Sequence, residues 1–382
     1  MINQKTNRVR FVWMFCAILT FLYAMLLFFA YKPLASPDAT ETDLPAHIKA
    51  GIEDKSVYSL TYMILGLLWR LPHASGFIAL FLCLSVCLSV CFTFILLKKL
   101  VENVQNHWLY IISLILNLYM PLYVPIINKD MYLGMISFNL YHNPTYITMK
   151  PFAILSFFLF IQIREKILAK ERDVFKYIFF ALALFIATWF KPSFAFGFVP
   201  CAVVAILVDF FKGRFKNINK FIFLAFMFLP TALLMLWQRT QLFDDDGVSE
   251  ISIGIFKVWS LYVRHPLAAL VLSCAFPIVV LIFNFKDLAK DKIYRFSWIF
   301  AMFNVLIFAF LYESGPRMAH GNFGWGAHFA VGVLFILSIA KFIQRIKKIN
   351  IEKTVFGSLV LGMHLIAGLN YFLKFCFSKF WF

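Results

Sequence analysis

Charged residues are scarce in this chain, and their scarcity limits the class of protein it can be. Only 14% of its 382 residues are charged, whereas a soluble domain carries about 25%. Hydrophobic residues make up 62% of the chain, and the mean hydropathy is +0.81. This composition excludes an ordinary soluble domain and predicts an all-α, polytopic membrane protein.

The chain also lacks the cysteine pattern of a disulfide framework. Six of its seven cysteines lie inside apolar stretches, and we expect no such framework. Cys83, Cys87 and Cys91 recur every four residues, which places them on one helix face. Packing of these small, soft residues against a neighbouring helix is favoured over a metal site.

Internal repeats, low-complexity tracts and a soluble domain are missing too, so the prediction is one membrane domain over residues 1–382. We also find no cleavable signal sequence. Lys5, Arg8 and Arg10 precede an apolar run of 20 residues, Phe11–Ala30, which is typical of a signal anchor with a cytoplasmic N-terminus.

Hydrophobic runs predict about eleven transmembrane helices, within a range of ten to twelve. The predicted spans are 11–30, 76–97, 108–127, 147–163, 177–190, 194–211, 220–237, 266–285, 296–312, 327–343 and 354–373. A shorter apolar segment at 57–71 predicts a re-entrant or interfacial helix at the outer face. Lys191–Pro192 interrupts the apolar pattern after the fifth span, and we expect a tight outer hairpin there.

The basic residues are unevenly distributed along the chain. A net charge of +17 would suit a nucleic-acid partner, but the basic residues stand in short runs between apolar segments. The segments predicted to be cytoplasmic hold 23 of the 36 lysines and arginines, in keeping with the positive-inside rule. Eleven of the 19 acidic residues fall in predicted outer loops. The pattern indicates a membrane orientation and argues against nucleic-acid binding.

The first outer loop contains the acidic residues Asp38, Glu41 and Asp43. Asp43 and His47 are four residues apart, so they share one face if the segment LPAHIKAG is helical. One interpretation is that Thr42 or Asp43 caps that helix. The other is a carboxylate that acts as a general base, or that holds a divalent cation together with His47.

The second outer loop contains Asp130, His142, Asn143 and Lys150. An Asn-Pro pair initiates turns, which is the simplest interpretation of Asn143–Pro144. A turn does not account for the other three side chains. Asp130 remains a candidate catalytic carboxylate, and His142 and Lys150 remain candidates for substrate binding.

The third outer loop reads ESGPRMAHGNFGWG. Arg317 and His320 lie between glycines, where the backbone can approach a ligand closely, and Asn322 follows. This pattern predicts a phosphate clamp, and a structural turn with Trp325 at the membrane interface is the alternative. Lys191 is an ionisable residue at membrane depth, which marks either a functional site or a side chain that reaches the headgroups.

A polytopic chain with acidic residues just after its first span resembles the GT-C superfamily of integral-membrane glycosyltransferases. The strings HNPT, KPS and GNFGW also look like those of bacterial polysaccharide-assembly membrane proteins. The resemblance implies a GT-C-like fold in the bacterial cytoplasmic membrane. It also implies transfer of a sugar from a polyprenyl-phosphate-linked donor to a glycan or lipid-linked acceptor at the outer face.

The resemblance also implies roles for individual residues. Asp43 is the expected catalytic base, with Glu41 or Asp38 as alternatives and Asp130 as a second carboxylate. A divalent cation is the one cofactor that the pattern suggests. The candidates for substrate or phosphate binding are His47, His142, Asn143, Lys150, Lys191, Arg317, His320 and Asn322.

Two other functions fit the same composition. A capsule or O-antigen repeat-unit polymerase often has an outer arginine followed by a glycine eleven positions later. Here Arg239 leads to Glu250, and Arg317 leads to His328. A lipid-linked sugar flippase or transporter ranks third, because such proteins favour internal repeats and mid-membrane charges. The enzyme interpretation requires the outer candidates to converge on one cavity.

Overall fold

The computed structural model describes residues 2–39, 42–53, 58–168, 173–213, 218–243, 250–346 and 348–378. The described residues are mostly helical, with almost no sheet. The helices are α1 Ile2–Leu34, α2 Leu44–Ile52, α3 Leu60–Trp69, α4 Ala74–Leu100, α5 Asn106–Leu116, α6 Pro144–Leu168, α7 Val174–Phe190, α8 Ser193–Lys212, α9 Ile218–Phe226, α10 Leu229–Phe243, α11 Trp259–Tyr262, α12 Pro266–Ser273, α13 Ala275–Phe283, α14 Phe285–Leu288, α15 Lys292–Phe310, α16 Gly324–Arg345 and α17 Ile351–Phe377. Strands β1 Ile251–Ile253 and β2 Leu311–Glu313 pair antiparallel, and a 3-10 helix follows at Gly315–His320.

The all-α, multi-pass membrane class is confirmed, but the prediction of eleven spans is wrong. Among the described residues, eight helices are long and apolar enough to cross a membrane. A ninth span results if α12 and α13, bent by 63° at their junction, are counted together. The predicted span 266–285 corresponds to this bent pair.

The predicted span 108–127 fails because the helix ends early. Helix α5 stops at Leu116, and an irregular segment, residues 117–143, leads to α6. Pro121 and Pro125 lie in the predicted span, and proline lacks the N–H that a helix interior needs. The eleven residues of α5 cover only about 16 Å, against ~30 Å for the hydrocarbon core.

The predicted span 177–190 is α7, which has 17 residues and a length of about 26 Å. It ends at Lys191–Pro192, where the sequence predicts a break, and α8 begins at Ser193. The segment predicted at 57–71 contains the ten-residue helix α3, and the side chain of Ser59 caps its N-terminus. Each of these two short helices, α7 and α3, has one end close to the site described below.

Helix α16 forms the axis of the bundle. In the most apolar 18-residue stretch of this span, 83% is buried inside the protein, compared with 17% for the corresponding stretch of α1 and 28% for that of α17. A helix that is apolar on all sides suits a central position. Helices α4, α6, α8, α13 and α15 pack around it. The outer helices turn their exposed apolar side chains outward, as lipid contact requires.

The irregular segment 117–143 is held by polar contacts inside the bundle. The amide of Asn139 donates to the carbonyls of Leu116 at 2.9 Å and Tyr119 at 2.8 Å. Lys150 Nζ donates to Asn139 Oδ1 at 2.9 Å and to the Phe138 carbonyl at 3.3 Å. Non-helical backbone is tolerated in a membrane protein only where such partners satisfy it. The segment therefore delivers His142 and Asn143 to a defined position at the start of α6.

The two ends of the bundle differ in chemistry. At one end, ion pairs join the C-terminal turn of α6 to those of α4 and α8. Further ion pairs there join the C-terminal turn of α16 to the residues before α15. These pairs are Lys99–Glu165, Arg164–Asp209, Lys341–Asp291 and Arg345–Asp287. The other end gathers the last residue of α7 and the starts of α2, α6, α8 and α16. Eight of the predicted site residues lie together at this second end.

Candidate functional site

A cavity of about 670 Å³ lies at the second end of the bundle. Eight of the predicted site residues line it, and they come from three separate loops and the α7–α8 break. They are Asp43, His47, His142, Asn143, Lys191, Arg317, His320 and Asn322. The tertiary structure therefore brings most of the candidates together.

Four predicted residues do not line this cavity. Glu41 lies outside the described residues. Asp38 is exposed, and Asp130 is partly exposed beside Asn128. Lys150 is buried against Phe138 and Asn139, where it holds the irregular segment. Its role in this structure is to satisfy backbone and amide groups, so the substrate-binding interpretation of Lys150 has no geometric support.

Asp43 reaches the cavity because its side chain does not cap α2. It occupies the N-cap position but makes no capping hydrogen bond, and Thr42 Oγ1 accepts from Leu44 N at 3.3 Å instead. The capping interpretation is thus wrong for Asp43. Its Oδ2 accepts a hydrogen bond from Asn143 Nδ2 at 2.9 Å. The carboxylate is directed at the second loop.

Close packing of α2 against α3 holds this arrangement. Gly51 in α2 faces Gly66 in α3, and a Cβ added to Gly51 would lie 2.9 Å from the backbone nitrogen of Gly66. The two short helices can approach this closely only because both positions lack a side chain. His47, one turn after Asp43, stacks on Tyr62 of α3 with ring centroids 4.9 Å apart. As predicted, Asp43 and His47 share one helix face.

Asn143 begins α6 rather than forming an isolated turn. Its Oδ1 accepts from Tyr146 N at 3.0 Å, a capping bond, and from the Thr145 hydroxyl at 2.7 Å. Because the oxygen is occupied by two donors, the amide nitrogen must face the other way. That nitrogen is the donor to Asp43.

The carboxylate and imidazoles have shifted pKa values. Burial raises the pKa of Asp43, but His142, the Asn143 hydrogen bond, His47 and Lys191 together lower it below its usual value. Burial lowers the pKa of His47 to about 4 against the opposing effect of Asp43, and burial also lowers the pKa of His142. Asp43 lines the cavity and has an exposed side chain, although many protein atoms lie near its carboxylate. At neutral pH the ionised carboxylate of Asp43 therefore lies beside the uncharged imidazoles of His47 and His142.

Lys191 is buried, and its ammonium turns inward. Its Nζ donates to Thr145 Oγ1 at 2.9 Å and lies 4.6 Å from the ring centroid of Trp325. Burial lowers the pKa of Lys191 to about 8, although Asp43 and Glu313 oppose the shift. A side chain reaching for headgroups would point outward, so the geometry favours a role in the site.

The third loop is organised by Glu313, a residue that the sequence analysis does not single out. Its Oε2 accepts from Asn322 Nδ2 at 2.8 Å and lies 3.3 Å from Arg317 Nε. Pairing of Glu313 with Ile251 fixes the backbone before the 3-10 helix, and Gly321 closes the turn with φ +60°. One buried carboxylate thereby orients two candidate phosphate ligands.

Aromatic side chains form much of the cavity wall. Tyr132 lies 4.9 Å from the His142 ring, and His142 lies 5.9 Å from Trp325. Tyr58 and Tyr62 contact each other edge to face on another wall, with their hydroxyls 3.2 Å apart. Such rings combine an apolar face with a polar tip. The sequence offered no signal for them, because 19% of the chain is aromatic.

A second cavity of about 460 Å³ adjoins the first. Its wall is mainly apolar and includes Phe190, Phe196, Leu236 and Phe323. Leu236 is 61% exposed, so this cavity lies at the periphery of the bundle, where α10 meets the α7–α8 break. The two cavities share four lining residues, namely Tyr58, Lys191, Arg317 and Asn322.

A metal centre finds no support in the part of the chain that the structure describes. No group of three or more histidine, cysteine, aspartate or glutamate side chains there could hold a metal ion. Asp43 and His47 face the same cavity, but two such ligands do not make the coordination shell that a divalent cation needs. The described residues that line the two cavities supply a carboxylate base, hydrogen-bond donors and the basic side chains of Lys191, Arg239 and Arg317.

Comparison with known proteins assigns no family. No family model matches the chain, and no curated protein or solved structure matches it significantly. The geometry of the two cavities is therefore the basis for a functional assignment.

Proposed function

We propose that this protein is a membrane glycosyltransferase that moves a sugar from a polyprenyl-phosphate-linked donor to a glycan or lipid-linked acceptor. The observation that carries the proposal is the junction of the two cavities. Lys191 and Arg317 lie where an apolar, peripheral cavity meets a polar, aromatic-lined one. A lipid phosphate has the matching form: an apolar chain, an anion at its end, and a sugar beyond the anion.

The residues suit the chemistry of glycosyl transfer. Asp43 accepts the proton of the acceptor hydroxyl as that oxygen forms a bond to the anomeric carbon of the sugar. The bond from the anomeric carbon to the phosphate oxygen breaks, and the lipid phosphate leaves with the electron pair. Lys191 and Arg317 stabilise the negative charge that develops on the phosphate. The aromatic wall of the polar cavity provides ring faces and hydroxyls against which a sugar can pack.

We assign the site to the outer face of a bacterial cytoplasmic membrane, with the N-terminus in the cytoplasm. The end of the bundle opposite the site carries Lys99, Arg164, Lys341 and Arg345. The positive-inside rule makes that end cytoplasmic. Helix α16 ends at that cytoplasmic end and α17 leads back from it, so we infer that the C-terminus is outside. Labelling of a cysteine placed in the first loop with a membrane-impermeant maleimide on intact cells tests this orientation.

The activity is tested with the purified protein in liposomes that contain polyprenyl-phosphate-linked sugars and candidate acceptors. We expect Asp43→Asn to lower transfer by about 100-fold or more, the contribution typical of a general base. Asp38→Asn changes an exposed carboxylate of the same loop that does not line the cavity, and we expect it to retain transfer within about twofold. If Asp43→Asn transfers sugar as fast as the parent protein, the base assignment is wrong.

The products separate the competing functions. A transferase adds one sugar to each acceptor, whereas a polymerase produces a ladder of repeat lengths. A flippase moves the lipid-linked sugar across the liposome bilayer without consuming it. Either of the last two outcomes would replace the proposed reaction.

A further inference from the structure

Three hydrogen bonds in series connect the cation at the cavity junction to the candidate base. Lys191 Nζ donates to Thr145 Oγ1 at 2.9 Å. The Thr145 hydroxyl donates to Asn143 Oδ1 at 2.7 Å, and Asn143 Nδ2 donates to Asp43 Oδ2 at 2.9 Å. All three bonds point the same way, from the ammonium to the carboxylate.

The directions of these bonds are determined by chemistry. A hydroxyl has one proton to donate, and Thr145 faces an ammonium that cannot accept one. Its proton therefore goes to Asn143, whose oxygen also caps α6 through Tyr146 N. Thr145 and Asn143 are both buried. Each dipole in the series presents its positive end to Asp43, and aligned hydrogen bonds of this kind polarise one another.

Resting on the proposed function, we propose that Thr145 is a positioning residue that links Lys191 to Asp43 through Asn143, so that an anion bound by Lys191 strengthens Asp43 as a base. Thr145 also lines the apolar cavity, next to the junction. A substrate phosphate at Lys191 competes with Thr145 for the ammonium and compensates its charge. The carboxylate then loses part of the stabilisation that reaches it along the series.

Other groups around Asp43 contribute to its charge balance and must be separated from this effect. His47 lies on the same helix, and His142 and Lys191 face the carboxylate from other elements. Tyr62 and Tyr132 are close enough for Asp43 to act on their hydroxyls. Because Thr145 has no charge, replacing it leaves all these groups in place.

The test compares Thr145→Val with Thr148→Val. Both changes remove a buried hydroxyl from the first turns of α6 with little change in volume. The Thr148 hydroxyl bonds to Thr61 and to the backbone carbonyls of Pro144 and Thr145, and not to the side chains of the series. Thr145→Ser keeps the hydroxyl and serves as the rescue variant. If Thr145→Val does not fold, Thr145→Ala carries the same prediction.

The first readout does not require transfer. Acetic anhydride modifies neutral amines, and mass spectrometry reports the modification of Lys191 as a function of pH. Thr145→Val removes an acceptor that favours the ammonium, so we expect Lys191 to be modified about threefold faster below pH ~8. Thr145→Ser and Thr148→Val should match the parent protein. Unchanged modification in Thr145→Val overturns the link.

The second readout is the pH profile of transfer. In the parent protein, the acidic limb of kcat should lie at higher pH than that of kcat/KM, because bound donor strengthens the base. In Thr145→Val we expect this separation to narrow by about half a pH unit, and in Thr145→Ser to return. An unchanged separation, or an equal change in Thr148→Val, overturns the proposal. A parent protein that transfers no sugar contradicts the proposed function instead, and the amine readout still decides the link.

Discussion

Helix α17 and the irregular segment 117–143 meet at Gly368, and this contact provides a sharp test of the fold. A Cβ added at Gly368 would overlap the backbone carbonyl oxygen of Leu118. The carbonyl cannot move aside freely, because Met120 N donates to the His364 carbonyl at 3.1 Å and the Met120 carbonyl lies 2.7 Å from His364 Nδ1. We therefore expect Gly368→Ala to push α17 away from the segment.

The magnitude follows from three contributions to the free energy of unfolding. Alanine stabilises a helix interior by ~1 kcal/mol relative to glycine. Overpacking costs ~1–3 kcal/mol, and stretching the two bonds at Met120 costs ~0.5–1.5 kcal/mol each. The net result is a loss of about 3 kcal/mol, within a range of about 1 to 5 kcal/mol. Transfer should fall with it, because the same segment ends at His142 and Asn143.

Gly362 in the same helix is the matched control. A Cβ added there meets no atom within 4 Å, so Gly362→Ala should keep or slightly raise stability. Both variants are compared by thermal unfolding in one detergent, followed by fluorescence or by loss of monodisperse protein. Equal midpoints for Gly368→Ala and Gly362→Ala would refute the close contact between α17 and the irregular segment.

Three further predictions concern the site. Asp43→Asn and Glu313→Gln each remove an anion that raises the pKa of Lys191, so its pKa should fall below about 8 and acylation of this lysine should begin at lower pH. Ala232→Trp narrows the apolar cavity. It should weaken the binding of long-chain donors about tenfold and leave the binding of short-chain analogues unchanged. Because the pKa of His47 is lowered to about 4 from 6.5, the unfolded chain binds more protons between these values. The free energy of unfolding should therefore fall as the pH drops from 6.5 to 4. In His47→Gln, the midpoint of thermal unfolding should change less with pH across the same range.

Hydropathy alone overestimated the number of spans, and the reason is physical. A sliding window registers the apolar side chains of residues 108–127 but not the backbone groups that Pro121 and Pro125 leave without helical partners. In the folded protein those groups find distant partners, such as the Leu272 carbonyl for Leu122 N. No local pattern reveals a partner that lies about 150 residues away along the chain.

The site candidates that sequence reasoning found share a local signal. Asp43 and His47 have helical spacing, and Lys191 is a charge in an apolar stretch, so each is visible in a short window. Thr145 was missed because its importance lies in a contact with Lys191, which is distant in the sequence. Glu313 was missed because its contacts with Arg317 and Asn322 form only when the third loop folds back on itself. Asp130 and Lys150 have residue types that suit a site, but neither lines the cavity, and Lys150 bonds to Asn139 and to the Phe138 carbonyl instead.

By itself, the sequence determined the membrane class, the helical architecture and the separation of a basic end from an end rich in carboxylates and histidines. These properties depend on composition and on spacing within single segments, where solvation of side chains decides the outcome. Only the tertiary structure decided that the Lys191 ammonium and the Asp43 carboxylate stand at opposite ends of one hydrogen-bond series, and that a polar and an apolar cavity meet at Lys191 and Arg317. Such relations depend on how helix ends from distant parts of the chain pack together, which no single segment specifies.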